Sequence, residues 1–411
     1  MTNWVTSETQ VQNLIGAGYS KANGFFTAQT NGIYIISGFL QTDTTSFSPT
    51  VRMKIALNAN LSSVTSAYYG QGLTTLNSHC NKSCTLHTSG VMFLKVLDTV
   101  ALFVSSNDVE TLTIKKGSMF SVSLVAESNP LPIGMFGSLK SPQKISVKGD
   151  KQVTAWQSVQ SSGSFKSSEN MDSFNIESSG IYFVTITIKF QDLQGLAKAV
   201  TSLVNIPAIT SMTKRTSNAP FVLSVSGSMK IAAGSLYTVT VSSETDSDYQ
   251  ILSGSSKSIV FLGASVIGFT ATQSQTRTIS LLSNIAYHIT GWSTVGKDWL
   301  FESGNGFADR RSFVVPQTGV YHVSANIVIS YSINSTSVLV SLGIQRNGFF
   351  KQEYGLFTSS YLVGTKLVTL TIAGTVFFEK WTQLKLIMQT SKEISMEMNI
   401  DSTFSVVKTS K

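Results

Sequence analysis

A phenylalanine, five residues, then Gly-(Ile/Val)-Tyr occurs three times: Phe26 with Gly32-Ile33-Tyr34, Phe174 with Gly180-Ile181-Tyr182, and Phe313 with Gly319-Val320-Tyr321. The glycines stand 148 and 139 residues apart, and other residues keep nearly constant offsets from them. Trp4, Trp156 and Trp292 precede the glycine by 28, 24 and 27 positions, while Asn58, Asn205 and Asn347 follow it by 26, 25 and 28. Phe93 to Leu102 aligns without gaps against Phe377 to Leu386, with Met229 to Thr238 as the counterpart in the second copy. Self-similarity at a long fixed period marks a repeated structural unit. The 411 residues divide into three diverged copies, 1–130, 131–269 and 270–411.

Within each copy the hydrophobic period is two. Tyr182, Val184, Ile186, Ile188 and Phe190 alternate with Phe183, Thr185, Thr187 and Lys189, and Tyr321, Val323, Ala325, Ile327 and Ile329 repeat the pattern. Alternation in short β-branched and aromatic runs, punctuated by Ser, Thr, Asn and Gly, predicts strands. No window carries a helical period, so an all-β chain of antiparallel sandwiches follows. Gly32, Gly180 and Gly319 are expected to turn the chain with positive φ, while Phe26, Phe174 and Phe313 and Tyr34, Tyr182 and Tyr321 fill the cores. Ile145-Ser146-Val147 and Ile279 to Leu282 are expected as opening strands of the second and third copies. Only three residues precede Trp4, so the first copy lacks such a strand, which favours a fragment of a longer protein over a strand supplied by another segment.

Ser312 to Ser324, with its Pro316 turn before Gly319-Val320-Tyr321, followed by Val340 to Gly348 with its Asn347-Gly348 ending, resembles the complement C1q-like and tumour-necrosis-factor-like superfamily. The other two copies keep the Phe and the Gly-Ile-Tyr but lack the proline and the Asn-Gly pair. The resemblance implies ten-stranded jelly rolls, threefold assembly about an apolar axis, function by binding to proteins, glycans or anionic surfaces, and no enzymatic activity. Three copies in one chain then suggest an intramolecular pseudo-trimer, preferred to beads on a string because a lone copy would expose an apolar face. The connecting segments Glu127 to Ile145 and Phe269 to Ile279 are long enough to join neighbouring copies.

Composition narrows the function classes. The net charge of +8 spreads as +1, +3 and +4 over residues 1–130, 131–270 and 271–411, which is too thin for a nucleic-acid surface. No window of 18 apolar residues exists, so no spanning helix is expected and membrane insertion is not. Met1-Thr2-Asn3-Trp4 does not open a signal peptide. The sequons at Asn60, Asn81 and Asn334 are compatible with an extracellular, secreted glycoprotein without requiring one.

One segment concentrates metal-ligating chemistry: His79-Cys80-Asn81-Lys82-Ser83-Cys84-Thr85-Leu86-His87. Thiolates and imidazoles suit a borderline metal, so His79, Cys80, Cys84 and His87 form a candidate site. Their spacing matches no standard zinc pattern. A Cys80–Cys84 disulfide bracing an exposed loop is preferred, with two free thiols and a metal site as the other readings. Asp246 and Asp248 are the acidic pair that would serve calcium, which family relatives sometimes bind; an ordinary polar loop is preferred, and no other cofactor is expected. No catalytic constellation is legible. Tyr68, Tyr69, Phe349, Phe350 and Tyr354 are candidate ligand contacts, weighed against a role as buried loop anchors. The sequence therefore points to a non-enzymatic extracellular recognition or adhesion protein that binds a glycan or protein through jelly-roll loops. The alternatives are a structural or self-assembling component, of a matrix or of a viral or phage appendage, and a cytokine-like receptor ligand.

Overall fold

The computed structural model describes residues 18–20, 24–47, 50–58, 72–77, 81–106, 112–115, 118–127, 134–139, 141–146, 148–162, 166–167, 172–203, 206–215, 218–244, 246, 248–307, 309–349 and 356–409. The described residues form strands and turns with no helix, and every ladder between named strands is antiparallel. The expected opening strand of the third copy is present as Arg277–Leu281, while in the second copy the strand is Gln143–Ile145, which shares only Ile145 with the expected run and leaves Ser146 outside it. The start of the first segment lies outside the described residues.

Each anchor glycine begins a long strand: Gly32–Phe47, Gly180–Gln191 and Gly319–Arg346. We term these the axial strands. The residues of one parity face a sandwich core, as alternation requires. Tyr34, Tyr182 and Tyr321 are buried there, and each hydroxyl donates to the carbonyl four residues earlier: Thr30 at 2.8 Å, Ser178 at 2.7 Å and Gln317 at 2.7 Å. That bond satisfies a buried phenol while tying the turn to the strand. Trp156 and Trp292 are likewise buried, with indole N–H groups donating to Val153 O and Ile289 O. Phe174 and Phe313 are fully buried, and Phe26 packs half-buried against the first core.

The anchor glycines do not use positive φ. For Gly180 the reason is close approach. A Cβ on Gly180 would lie 2.4 Å from a Phe261 ring carbon and 2.7 Å from Gly263 O, and one on Gly319 would lie 2.5 Å from Lys408 Cε. The alignment of the second copy also shifts by one. Phe93 pairs with Ile33 and Phe377 with Val320, but the residue opposite Ile181 is Lys230, not Met229. Since a one-residue slip exchanges the two faces of a strand, Met229 is buried in the core and Lys230 is exposed. Gly268 and Phe269, placed by sequence at the end of the second copy, pair with Thr403–Lys408 of the third.

Three large apolar cores result, each completed by a neighbour. The first includes Phe136, the second Trp299 and Leu300, and the third Phe39 and Met119. The packing is cyclic. Strands Gly72–Asn77 and Asn81–Leu94 of the first segment lie on Gly180–Gln191 and Phe221–Ile231 of the second. Ile206–Arg215 and Phe221–Ile231 of the second lie on Phe357–Phe378 and Gly319–Arg346 of the third. Phe357–Phe378 of the third lies on Gly32–Phe47 and Met119–Glu127 of the first. Head-to-tail contacts that close make a ring.

The axial strands line the centre of that ring in equal register. Ile35, Phe183 and His322 each stand three residues past their glycine; the Phe183 and His322 rings meet at 4.4 Å, and Ile35 shares a buried cluster with Phe183. The expected apolar axis holds only at this end. Two residues further along stand Ser37, Thr185 and Ser324, all buried. Hydrogen bonds cross each seam: Val91 N donates to Ser258 Oγ (3.2 Å), Asn326 Nδ2 to Ser226 O (2.9 Å) and Thr85 Oγ1 to Ser359 O (2.8 Å).

Candidate recognition cleft at a seam

Where the second and third segments meet, the sheet runs on from one to the other. Thr213 pairs with Val368, Met212 N donates to Thr369 Oγ1 at 2.8 Å, and the same hydroxyl donates back to Met212 O at 3.0 Å. Just beyond this junction the segments diverge and leave a cleft of about 570 Å³. Leu196, Lys214 and Glu244 line it from the second segment, and Ser330, Tyr331, Lys366, Ser395 and Glu397 are among those that line it from the third.

Alternation explains the chemistry of its floor. Strand Ile394–Met398 buries Ile394, Met396 and Met398 and turns Ser395 and Glu397 outward. Glu397 stands on one rung between Thr278 and Ser330, whose hydroxyl donates to Glu397 Oε2 at 3.1 Å. On the next rung Lys366 and Met396 flank Tyr331, which is buried. The cleft sets two lysines and two glutamates around one tyrosine, on a lining whose accessible surface is mostly apolar, and it opens to solvent.

A second concentration of titratable groups is buried. His322 Nδ1 stands 3.2 Å from Thr375 Oγ1, and its Nε2 has no hydrogen-bond partner. His87 lies against the backbone of Ala373, with neither ring nitrogen in hydrogen-bond geometry. Burial pushes His87 down to about 4 and, helped by the charge of His87, His322 down to about 3. Lys189 is brought down to about 8 by burial and by the nearby Arg52 and Lys54 of the first segment. Lys257 is buried in the second core with its ammonium 4.8 Å from the Trp156 ring and 4.3 Å from the Phe174 ring, and burial holds it well below the usual lysine range. Cation–π contact offsets part of that desolvation.

The residues singled out from sequence are dispersed. His79, Cys80, Tyr68, Tyr69, Phe350 and Tyr354 lie outside the described residues. Residues 81–87, read as part of an exposed loop, form part of strand Asn81–Leu94, with Cys84 opposite Thr42 and His87 opposite Phe39. The physical reason is pairing along the whole axial strand, which extends the ladder through a polar stretch. His87 therefore faces the interior of the ring. Among the described residues no group of three or more His, Cys, Asp or Glu is placed to hold a metal. Asp248 pairs with Lys144, an exposed contact that holds its carboxyl below the usual range, chiefly through the hydrogen bond from Lys144. Phe349 is 63% exposed. Sequence reasoning missed Lys257 and the cleft. An inward-facing lysine between Ser256 and Ser258 was a visible signal for the first; nothing local marks the second.

Neither a protein-family model nor a curated protein matches the chain. Among solved structures, the Eiger TNF from S. frugiperda is similar at 14% identity and a TM-score of 0.28, over 33% of this chain and 95% of that one. Murine APRIL at pH 5.0 is similar at 16% identity and a TM-score of 0.27, over 32% and 99%. Likenesses of this size leave function to be argued from the residues themselves.

Proposed function

We propose that the chain is a non-enzymatic, extracellular recognition protein, in which three copies of one jelly-roll unit present the seam cleft and its rim to a protein or glycan partner. The observation that carries this reading is the cleft. Its charged groups are exposed or half-buried and balanced in sign, and hydroxyls from Thr278, Ser330, Ser332 and Ser395 surround them. Such an open cleft, rimmed by exposed charges and hydroxyls, suits hydrogen-bonded recognition of a macromolecule, unlike the enclosed cavity that captures small molecules or the buried, perturbed groups of acid–base catalysis.

The test is a screen of the labelled chain on a glycan array and on a panel of purified extracellular proteins, repeated with the Lys214→Glu, Lys366→Glu variant. We expect hits that weaken at least about tenfold in the variant, as removal of charged hydrogen bonds predicts. Hits indifferent to both substitutions would remove the cleft from the reading. Concentration-dependent polymerisation without any ligand would favour a structural component.

A further inference from the structure

The three segments close an equivalent turn with one residue whose amide donates to the carbonyl two past the anchor phenylalanine: Leu97 to Ala28 (2.9 Å), Gly234 to Ile176 (2.7 Å) and Trp381 to Val315 (2.8 Å). All three residues are left-handed, with φ of 73°, 83° and 71°. Glycine takes this conformation freely, whereas leucine and tryptophan do so under strain. Both strained side chains also project into solvent, Leu97 at 75% and Trp381 at 71% exposure. Neither the strain nor the exposure stabilises the isolated chain. Both are explained by a surface that the side chains touch.

The turns share one end of the ring. Leu97, Gly234 and Trp381 each follow by three residues the partner of an anchor glycine: Leu94 opposite Gly32, Ile231 opposite Gly180 and Phe378 opposite Gly319. The contact of Phe183 with His322, and the cluster Phe183 makes with Ile33 and Ile35, hold the axial strands at equal height. The seam cleft is elsewhere, near Ser330, eleven residues along the axial strand from Gly319 and so about 36 Å away at about 3.3 Å per residue.

Other exposed apolar side chains join this end: Val96, Leu236 and Phe349. Phe349 is bonded to Arg346 in both directions, and Asn347 N donates to Gln383 O, two residues past Trp381. A lysine accompanies each strained turn. Lys95 precedes Val96-Leu97, and Lys380 precedes Trp381 with its ammonium 4.6 Å from a ring centroid of that tryptophan. Of the carboxylates here, Asp98 accepts from Asn58 Nδ2 and Lys95 N, while Glu177 and Glu379 temper the positive charge.

We propose that this end of the ring docks peripherally on the interface of an anionic phospholipid bilayer, with Leu97 and Trp381 at the headgroup–acyl boundary and Lys95 and Lys380 on the phosphates. The apolar groups are single projections from separate segments, so a plane meets them together where a groove-filling ligand meets one. Tryptophan favours the membrane interface, and a flanking cation adds attraction to anionic lipid. No segment of the chain crosses the bilayer in this arrangement, so the sequence-based expectation against insertion concerns a different mode of contact.

The test is cosedimentation of the full chain with vesicles of phosphatidylcholine alone and of phosphatidylcholine mixed with phosphatidylserine. We expect preferential binding to the mixed vesicles. The Leu97→Gly, Trp381→Gly variant should lose at least about tenfold in partitioning without a lower melting temperature, because glycine relieves the strained φ. The Lys95→Glu, Lys380→Glu variant should lose the preference for anionic lipid. Unchanged partitioning of the glycine variant, or an earlier melt, would overturn the proposal. So would a wild-type chain that ignores both vesicle types, leaving a protein as the occupant of this face.

Discussion

The sandwich cores and the centre of the ring are both buried, yet they are built from different residues. The third core stacks Phe269 on Phe307 at 3.9 Å and sets Phe404 edge-on to it at 5.0 Å, with Phe313 and Tyr321 beside them. The centre of the ring holds Ser37, Thr185, Ser324, Asn326, His87 and His322. Several of its polar atoms, including Ser226 Oγ, Ser228 Oγ and Ser324 Oγ, have no partner. Apolar burial is the main stabilising contribution within each sandwich. The seams add hydrogen bonds of modest net worth to the apolar contacts that complete each core. The difference teaches that the sandwich interiors rely chiefly on apolar packing, while the centre of the ring mixes apolar contact with buried polar groups.

The largest effect expected from this contrast is in a core. Phe269→Ala should destabilise the chain by about 3–5 kcal/mol, read as a shift in the denaturation midpoint; a loss near that of a seam residue would break the comparison. Acid comes next. His87 and His322 have lowered folded pKa values, so the unfolded chain binds more protons as pH falls below about 6.5. Their stabilisation is present above that pH and is lost progressively as pH drops towards about 4 and about 3. The His87→Phe, His322→Phe variant should flatten the profile between these limits, and an unchanged slope would place the acid sensitivity elsewhere.

Asn326→Ala should cost about 1–3 kcal/mol, because Asn326 donates both to Ser226 O across the seam and to Thr403 Oγ1 within the third segment. Ser324→Ala sharpens the comparison most. Its hydroxyl has no partner, so removal should change stability by no more than about 0.5 kcal/mol and in the favourable direction. A large loss at Ser324 would mean that the polar layer is bound into a tighter network than its geometry describes.

The alternation around Tyr182 and Tyr321 made the strands legible, and three recurrences of one motif made three segments legible. Less was legible at the sites. His87 read as part of a loop because its neighbours are polar, and only the ladder to Gly32–Phe47 turns that stretch into a buried strand. The anchor glycines read as turns, though Gly180 answers to Phe261, some 81 residues away in sequence. The strained turns at Leu97 and Trp381 had a signal in their alignment with a glycine, but the one-residue slip in the second copy set Ala233 opposite them in place of Gly234.

The sequence by itself determined an all-β chain with a threefold motif, because period-two burial is a local property that each strand carries in its own residues. Tertiary structure alone decided which faces meet, which histidines are buried and where a cleft opens. Those outcomes depend on contacts such as that of the Thr85 hydroxyl with the Ser359 backbone, 274 residues apart, and a small hydroxyl side chain looks the same in sequence on a surface as in a seam.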